Sequence, residues 1–136
     1  MKTLLKLEEA AQFLACLLLL VMNDVPWWTY LLLVLGPDIG MLGYLVNTRV
    51  GAVTYNLLHH KGIPVLVLML SSGAIYERLM LWSQDMWEFE MPWALTAAII
   101  LFGHASMDRM FGFGLKFGDH FQHTHLGWIG KGKSGE

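Results

Sequence analysis

The stretch PWWTYLLLVLGPDIGMLGYLV, residues 26–46, decides how this chain is read. Its apolar run reaches the roughly 20 residues needed to cross about 30 Å of hydrocarbon. Trp27, Trp28 and Tyr30 at its start are the aromatic types that favour a membrane–water boundary. Gly36-Pro37 interrupts it midway, where proline removes a backbone hydrogen bond and frees a carbonyl, so the sequence predicts a kink beside Asp38. A carboxylate at that depth is costly, at least about 2.5 kcal/mol even on lenient insertion scales, and so it calls for a partner, a cavity or an ion.

Three further apolar runs flank this one, at about 4–22, 50–70 and 92–111. Lys2 and Lys6 ahead of a leucine-rich run imitate a signal peptide, but Asn23-Asp24 and the residues after them offer no small-residue cleavage site, so a retained helix is expected. Segment 77–91, ERLMLWSQDMWEFEM, is amphipathic and acidic, as an interfacial helix would be. The expected fold is therefore all-α: one polytopic membrane domain over 1–136, with about four transmembrane helices, an interfacial helix and a His/Gly-rich tail over 112–136.

Composition agrees. Hydrophobic residues make up 55% of the chain and charged residues 15%, against about 25% charged in soluble proteins. A net charge of −2 gives no overall positive field, which excludes nucleic acid as a partner and leaves membrane lipids as the expected surroundings. The lone Cys16 supplies neither a disulfide nor a CxxC site.

Lysine and arginine favour the cytoplasmic side of short loops. Lys2 and Lys6, Arg49, and the group Arg109, Lys116, Lys131 and Lys133 all fall on one side of a four-helix arrangement, while Asp24, Glu77, Asp85, Glu88 and Glu90 fall on the other with Arg78. Both termini are thus expected in the cytoplasm. At 1.5 Å per residue, Asp38 and His104 each lie about 18 Å from the outer boundary and His59 about 13 Å from the inner one, nearly the same plane. Gln12 reaches that level, and Glu8, Asn56, Asp108 and Arg109 lie on its cytoplasmic side. His60 adjoins His59 but points about 100° away, nearer the rim.

Imidazoles and carboxylates on facing helices suit zinc or iron, with Asp38, His59, His104 and Asp108 as ligands, and Asp38, Asp108 and His104 as the groups that would carry acid–base chemistry. Glu8, Gln12, Asn56, Arg109 and His125 are the expected supporting residues. A metal-free proton-handling layer and plain structural pairing remain open, and haem held by His59 and His104 is a minor alternative. The HExxH zinc-protease pattern is absent. His120, His123 and His125 in the tail are read as a second metal site, a cover for the cytoplasmic mouth, or headgroup contacts.

Four phrases, LEEAAQF at 7–13, PDIGMLGYL at 37–45, GAVTYNLLHH at 51–60 and GHASMDRMFGFGLKF with HTHLGWIG over 103–130, together resemble the DUF4260 family of small bacterial membrane proteins. The likeness includes Glu8, Pro37, Asp38, Tyr55, Asn56, His59, His104, Asp108, Arg109, Lys116 and His125, and it implies a membrane protein without implying a reaction. A Pro-Asp turn with intramembrane histidines is also similar to YdjM-type membrane metal-dependent hydrolases, whose HRGxTH signature is missing here. The leading expectation is a membrane-embedded metal-dependent enzyme, with hydrolysis as the candidate reaction, acting on a lipid-like or small apolar substrate. An oligomeric proton- or ion-coupled transporter or channel using the same layer, and a structural or regulatory membrane subunit, are the alternatives.

Overall fold

The computed structural model describes residues 2–82 and 91–130. The described chain is mainly helical: α1 (Lys2–Met22), α2 (Trp28–Leu35), a 3₁₀ segment (Gly36–Leu45), α3 (Thr48–His59), α4 (Gly62–Leu70), α5 (Ser72–Trp82) and α6 (Trp93–Phe111). A two-stranded antiparallel hairpin follows, β1 (His123–Thr124) and β2 (Gly127–Trp128). The first and last expected helices appear nearly at their expected bounds. The interfacial segment expected at 77–91 is represented by the second half of α5, and residues 83–90 lie outside the described residues.

The two central runs differ from expectation. Just before Pro37 the α-helix ends, and the chain continues as ten residues of 3₁₀ helix, well beyond the usual three or four. Three residues per turn sort this segment into three ridges. Pro37, Gly40 and Gly43 form the ridge that packs on α3, Asp38, Met41 and Tyr44 form a half-buried one, and Ile39, Leu42 and Leu45 are exposed. The packed ridge must be small. A Cβ on Gly40 would lie 2.7 Å from the Thr54 carbonyl oxygen, and one on Gly43 would lie 2.1 Å from Thr54 Oγ1. Thr54 Oγ1 also donates to the Gly40 carbonyl at 2.6 Å, which ties the 3₁₀ segment to α3.

The run expected as one helix over 50–70 breaks at His60, whose ψ of 112° is extended. Pro64 explains the break: it has no N–H to donate to the His60 carbonyl four residues back, and its ring would clash there. Placed in the first turn of α4 it costs little, because that N–H would have no helical partner. Asn47 caps the other end of α3 by accepting from Val50 N at 2.9 Å.

Helix α6 is the central element, with Ala98, Ile99, Ile100, Gly103, His104, Ala105 and Ser106 all buried. It packs against α1, α2, α3 and α4. Cys16 and Leu20 of α1, Leu33 of α2 and Ile99 and Ile100 of α6 make the apolar core. Gly103 sets the closest approach, since a Cβ there would meet Leu33 Cδ1 at 2.8 Å and Cys16 Cβ at 2.9 Å. Among the described residues one helical stretch, Trp28–Leu45, is long and apolar enough to cross a membrane, with a mean hydropathy of 1.3. Charged and polar side chains dilute α1 and α6, and α3 and α4 are individually short.

Candidate metal centre

The 3₁₀ segment, α3 and α6 meet around four side chains: Asp38, His59, His104 and Asp108, whose ligand-type atoms all lie within 4.8 Å of one another. The two imidazoles are enclosed, His59 at 2% exposure and His104 at 0%. Their Nε2 atoms face each other at 3.0 Å. Asp38 Oδ1 stands 3.4 Å from His59 Nε2 and 3.5 Å from His104 Nε2. Asp108 approaches with Oδ2 at 3.3 Å from His59 Nε2 and Oδ1 at 3.8 Å from His104 Nε2.

Backbone carbonyls fix the imidazole tautomers. His59 Nδ1 lies 2.9 Å from the carbonyl of Tyr55, one helical turn earlier, and His104 Nδ1 lies 2.9 Å from the carbonyl of Leu33. A carbonyl only accepts, so Nδ1 of each ring carries the proton and a neutral ring presents a bare Nε2. Two lone pairs and two carboxylates thus converge on one point, an arrangement that demands a positive charge. A single proton satisfies one contact, and Asp38 Oδ1, buried without a hydrogen-bond partner, still lacks one. A four-coordinate cation meets all four groups at once. The ligand–ligand edges of tetrahedral zinc, with bonds of about 2.0–2.1 Å, are about 3.3 Å; the contacts among His59, His104 and Asp38 run from 3.0 to 3.5 Å, and the four ligand atoms together lie within 4.8 Å.

Tyr55 is the principal side-chain support. Its hydroxyl donates to Asp108 Oδ2 at 2.5 Å, and its ring stacks on that of His59 with centroids 3.7 Å apart. The sequence reading did not place Tyr55 at the site, and its i,i+4 spacing from His59 is the signal that could have done so. Asp38 is the most open of the four, with 35% of its side chain exposed, so access from outside comes on its side. A cleft of about 330 Å³ lined by Asn23, Asp24, Pro26, Thr29, Trp93 and Thr96 carries none of the four ligands.

The expected supporting residues sit elsewhere. Glu8 is on the exposed side of α1, accepting only from Gln12 Nε2 at 3.2 Å. Its neighbour Glu9 turns inward and holds two cations, Lys61 Nζ through Oε2 and Arg109 Nη1 at 3.6 Å through Oε1. Gln12 joins that network by accepting from Lys61 Nζ and, at 3.4 Å, from Ser106 Oγ. Glu9 and Lys61 are thus the residues that sequence reasoning missed. Which of two adjacent glutamates faces inward depends on the phase of a helix that is leucine-rich on several sides, and Lys61 reaches inward only because the chain breaks at His60. His60 itself is exposed and uses Nδ1 to accept from Gly62 N at 3.1 Å.

Asn56 and His125 organise the tail rather than the four ligands. Asn56 Nδ2 donates to the Lys116 carbonyl at 2.8 Å and Asn56 Oδ1 accepts from Lys116 N at 2.6 Å, a two-bond clamp across sixty positions of sequence. His125 Nδ1 accepts from Leu115 N at 2.8 Å and its own N–H donates to the Leu115 carbonyl at 3.0 Å. Burial holds the His125 imidazole below the usual histidine range, with Arg109 acting in the same direction. The clamp predicts that Asn56→Ala loosens residues 112–130 and lowers stability by about 1–3 kcal/mol, two hydrogen bonds at about 0.5–1.5 each. Limited proteolysis should then cut the tail faster while leaving α1–α6 intact.

The clamp brings Lys116, 4% exposed, against the aromatic faces of Tyr55 at 5.1 Å, Phe113 at 5.9 Å and Phe121 at 4.2 Å. Burial pushes its ammonium below the usual lysine range, and the carboxylates of Asp108 and Asp38 act in the opposite direction.

Fold and site together define a small, mainly helical protein built around a buried two-histidine, two-aspartate cluster able to hold a metal. The chain belongs to the DUF4260 family, a domain of unknown function, whose model matches residues 2–129. No curated protein and no solved structure matches it.

Proposed function

We propose that this chain is a four-span protein of the bacterial inner membrane, with both termini in the cytoplasm, and that Asp38, His59, His104 and Asp108 bind zinc or iron in a metal-dependent enzyme. Lipid-like molecules are its proposed substrates. The observation that carries the metal is the facing pair of bare Nε2 atoms, 3.0 Å apart with both Nδ1 atoms committed to carbonyls. The membrane reading is supported by the large apolar side chains left exposed on every long element, among them Leu7, Leu14 and Leu18 on α1, Leu35 on α2, Leu45 on the 3₁₀ segment, Val53 and Leu57 on α3 and Met69 on α4. Soluble monomers rarely expose contiguous apolar patches beyond a few hundred Å².

A bound zinc or iron would supply Lewis acidity and a water made acidic enough to attack at neutral pH, the chemistry of a hydrolase. The chain's own residues supply the rest. The carbonyls of Tyr55 and Leu33 orient the two imidazoles, the Tyr55 hydroxyl fixes the position of Asp108, and Asp38 is the most exposed of the four. Because a catalytic site keeps one metal position open, Asp38 would be the ligand to give way to the attacking water and take its proton.

Elemental analysis of the purified chain tests this directly. About one equivalent of zinc or iron per chain is expected, with a lower melting temperature after chelation. No metal above background, together with chelator-independent melting, would sink the proposal. The intrabundle chain Lys61–Glu9–Arg109 keeps a second reading in view, an oligomeric proton- or ion-coupled transporter. Liposome flux that disappears in Asp38→Asn while metal content stays unchanged would favour it.

A further inference from the structure

Two buried polar atoms near the cluster have no hydrogen-bond partner among the described residues. Asp38 Oδ1 belongs to the ligand set and Tyr44 OH is buried with no acceptor or donor. Lys116 places its ammonium over ring faces, with no carboxylate in contact among the described residues. Tyr44 and Lys116 share one aromatic neighbour, Phe121, the Tyr44 ring edge-on with centroids 5.1 Å apart and the Lys116 Nζ 4.2 Å above the same ring. Both are hydrogen-bond donors. Lys116 also touches the cluster's support, since its Nζ caps the Tyr55 ring whose hydroxyl holds Asp108.

Charge makes the arrangement directional. Two neutral imidazoles, two carboxylates and one divalent cation sum to zero. Lys116 then adds one positive charge with no carboxylate in contact. An ammonium over aromatic faces is stabilised, but less than one bonded to an oxyanion. Its flexible four-carbon stem lets it leave the rings for such a partner without moving the clamped backbone.

We propose that Lys116, with Tyr44 against the same Phe121 ring, binds the phosphate-type oxyanion of the substrate, so that the enzyme acts on an anionic phosphate-bearing molecule rather than a neutral one. This rests on the metal-enzyme reading above and narrows its substrate class. The phosphate could belong to a lipid headgroup or be free in the cytoplasm, and the two sources separate experimentally.

The test uses the full chain in nanodiscs of zwitterionic lipid, with metal content measured on each sample. Titration calorimetry would compare inorganic phosphate, a short-chain phosphatidylglycerol and an uncharged short-chain diacylglycerol. The wild type is expected to bind a phosphate probe at least about tenfold more tightly than the neutral one, one charge-assisted bond's worth. Preference for the phosphatidylglycerol identifies a lipid headgroup, and equal binding of inorganic phosphate identifies a free phosphate compound. Lys116→Met and Lys116→Gln should each lose that tenfold preference with metal content unchanged. Equal affinity of the wild type for charged and neutral probes overturns the inference without any variant, and so does a preference that survives in either folded variant. Absence of metal from a wild type that still selects phosphate would instead defeat the metal reading and leave the oxyanion site standing.

Discussion

His104→Ala is expected to abolish metal binding and to make melting insensitive to chelator. Four ligands share an apparent binding free energy of about 10–16 kcal/mol in structural zinc sites, so one ligand carries about 3 kcal/mol, a loss of more than about a hundredfold in affinity. The ring is also fully buried and donates to the Leu33 carbonyl, which would be left without a partner. That adds about 1–3 kcal/mol to the loss of stability even in metal-free protein. The measurement is metal per chain alongside thermal unfolding with and without chelator. The variant should melt below the chelated wild type, and a variant retaining a full equivalent of metal would remove His104 from the ligand set.

The second large effect is expected at Glu9. It faces Lys61 and Arg109 together, with side-chain exposure of 17%, 16% and 19%. Removing Lys61 leaves Glu9 with Arg109, whereas removing the charge of Glu9 leaves two cations facing each other with no anion between them. Breaking a buried pair by removing one partner costs about 3–5 kcal/mol. Glu9→Gln should therefore cost about 3 kcal/mol or more, and more than Lys61→Met. Glu8→Gln, one position away on the exposed side of the helix, should stay within about 0.5 kcal/mol. Unfolding in detergent micelles, run on the three variants side by side, reads the difference, and equal losses at positions 8 and 9 would contradict it.

This pair also shows where reading the sequence stops. Depth along a helix follows from residue count, so Asp38, His59 and His104 could be gathered into one layer from the sequence, with Asp108 on its cytoplasmic side. The structure brings those same four together. Rotation about the helix axis is a different quantity. In α1 the leucines run round most of the circumference, so no apolar stripe says whether Glu8 or Glu9 faces inward, and Gln12 and Arg109 follow Glu9 away from the ligands. Asn56 and His125 were out of reach for another reason: their partners lie in a tail whose path is set by contacts across sixty positions. The break at His60 was partly written in Gly62 and Pro64. The 3₁₀ segment left the plainest trace, the three-residue recurrence of Pro37, Gly40 and Gly43, invisible to a search at period 3.6.

That segment also acts as a ruler. A 3₁₀ helix rises about 2.0 Å per residue where an α-helix rises about 1.5 Å. Eight α-helical residues followed by ten 3₁₀ residues therefore stretch to about 32 Å, against about 27 Å for the same eighteen residues wound as α-helix throughout. The longer figure matches a hydrocarbon layer of about 30 Å and the shorter one falls below it. Overwinding the second half of the proposed span thus fits a short sequence to the full thickness of the bilayer, without the tilt or local thinning that mismatch would otherwise impose.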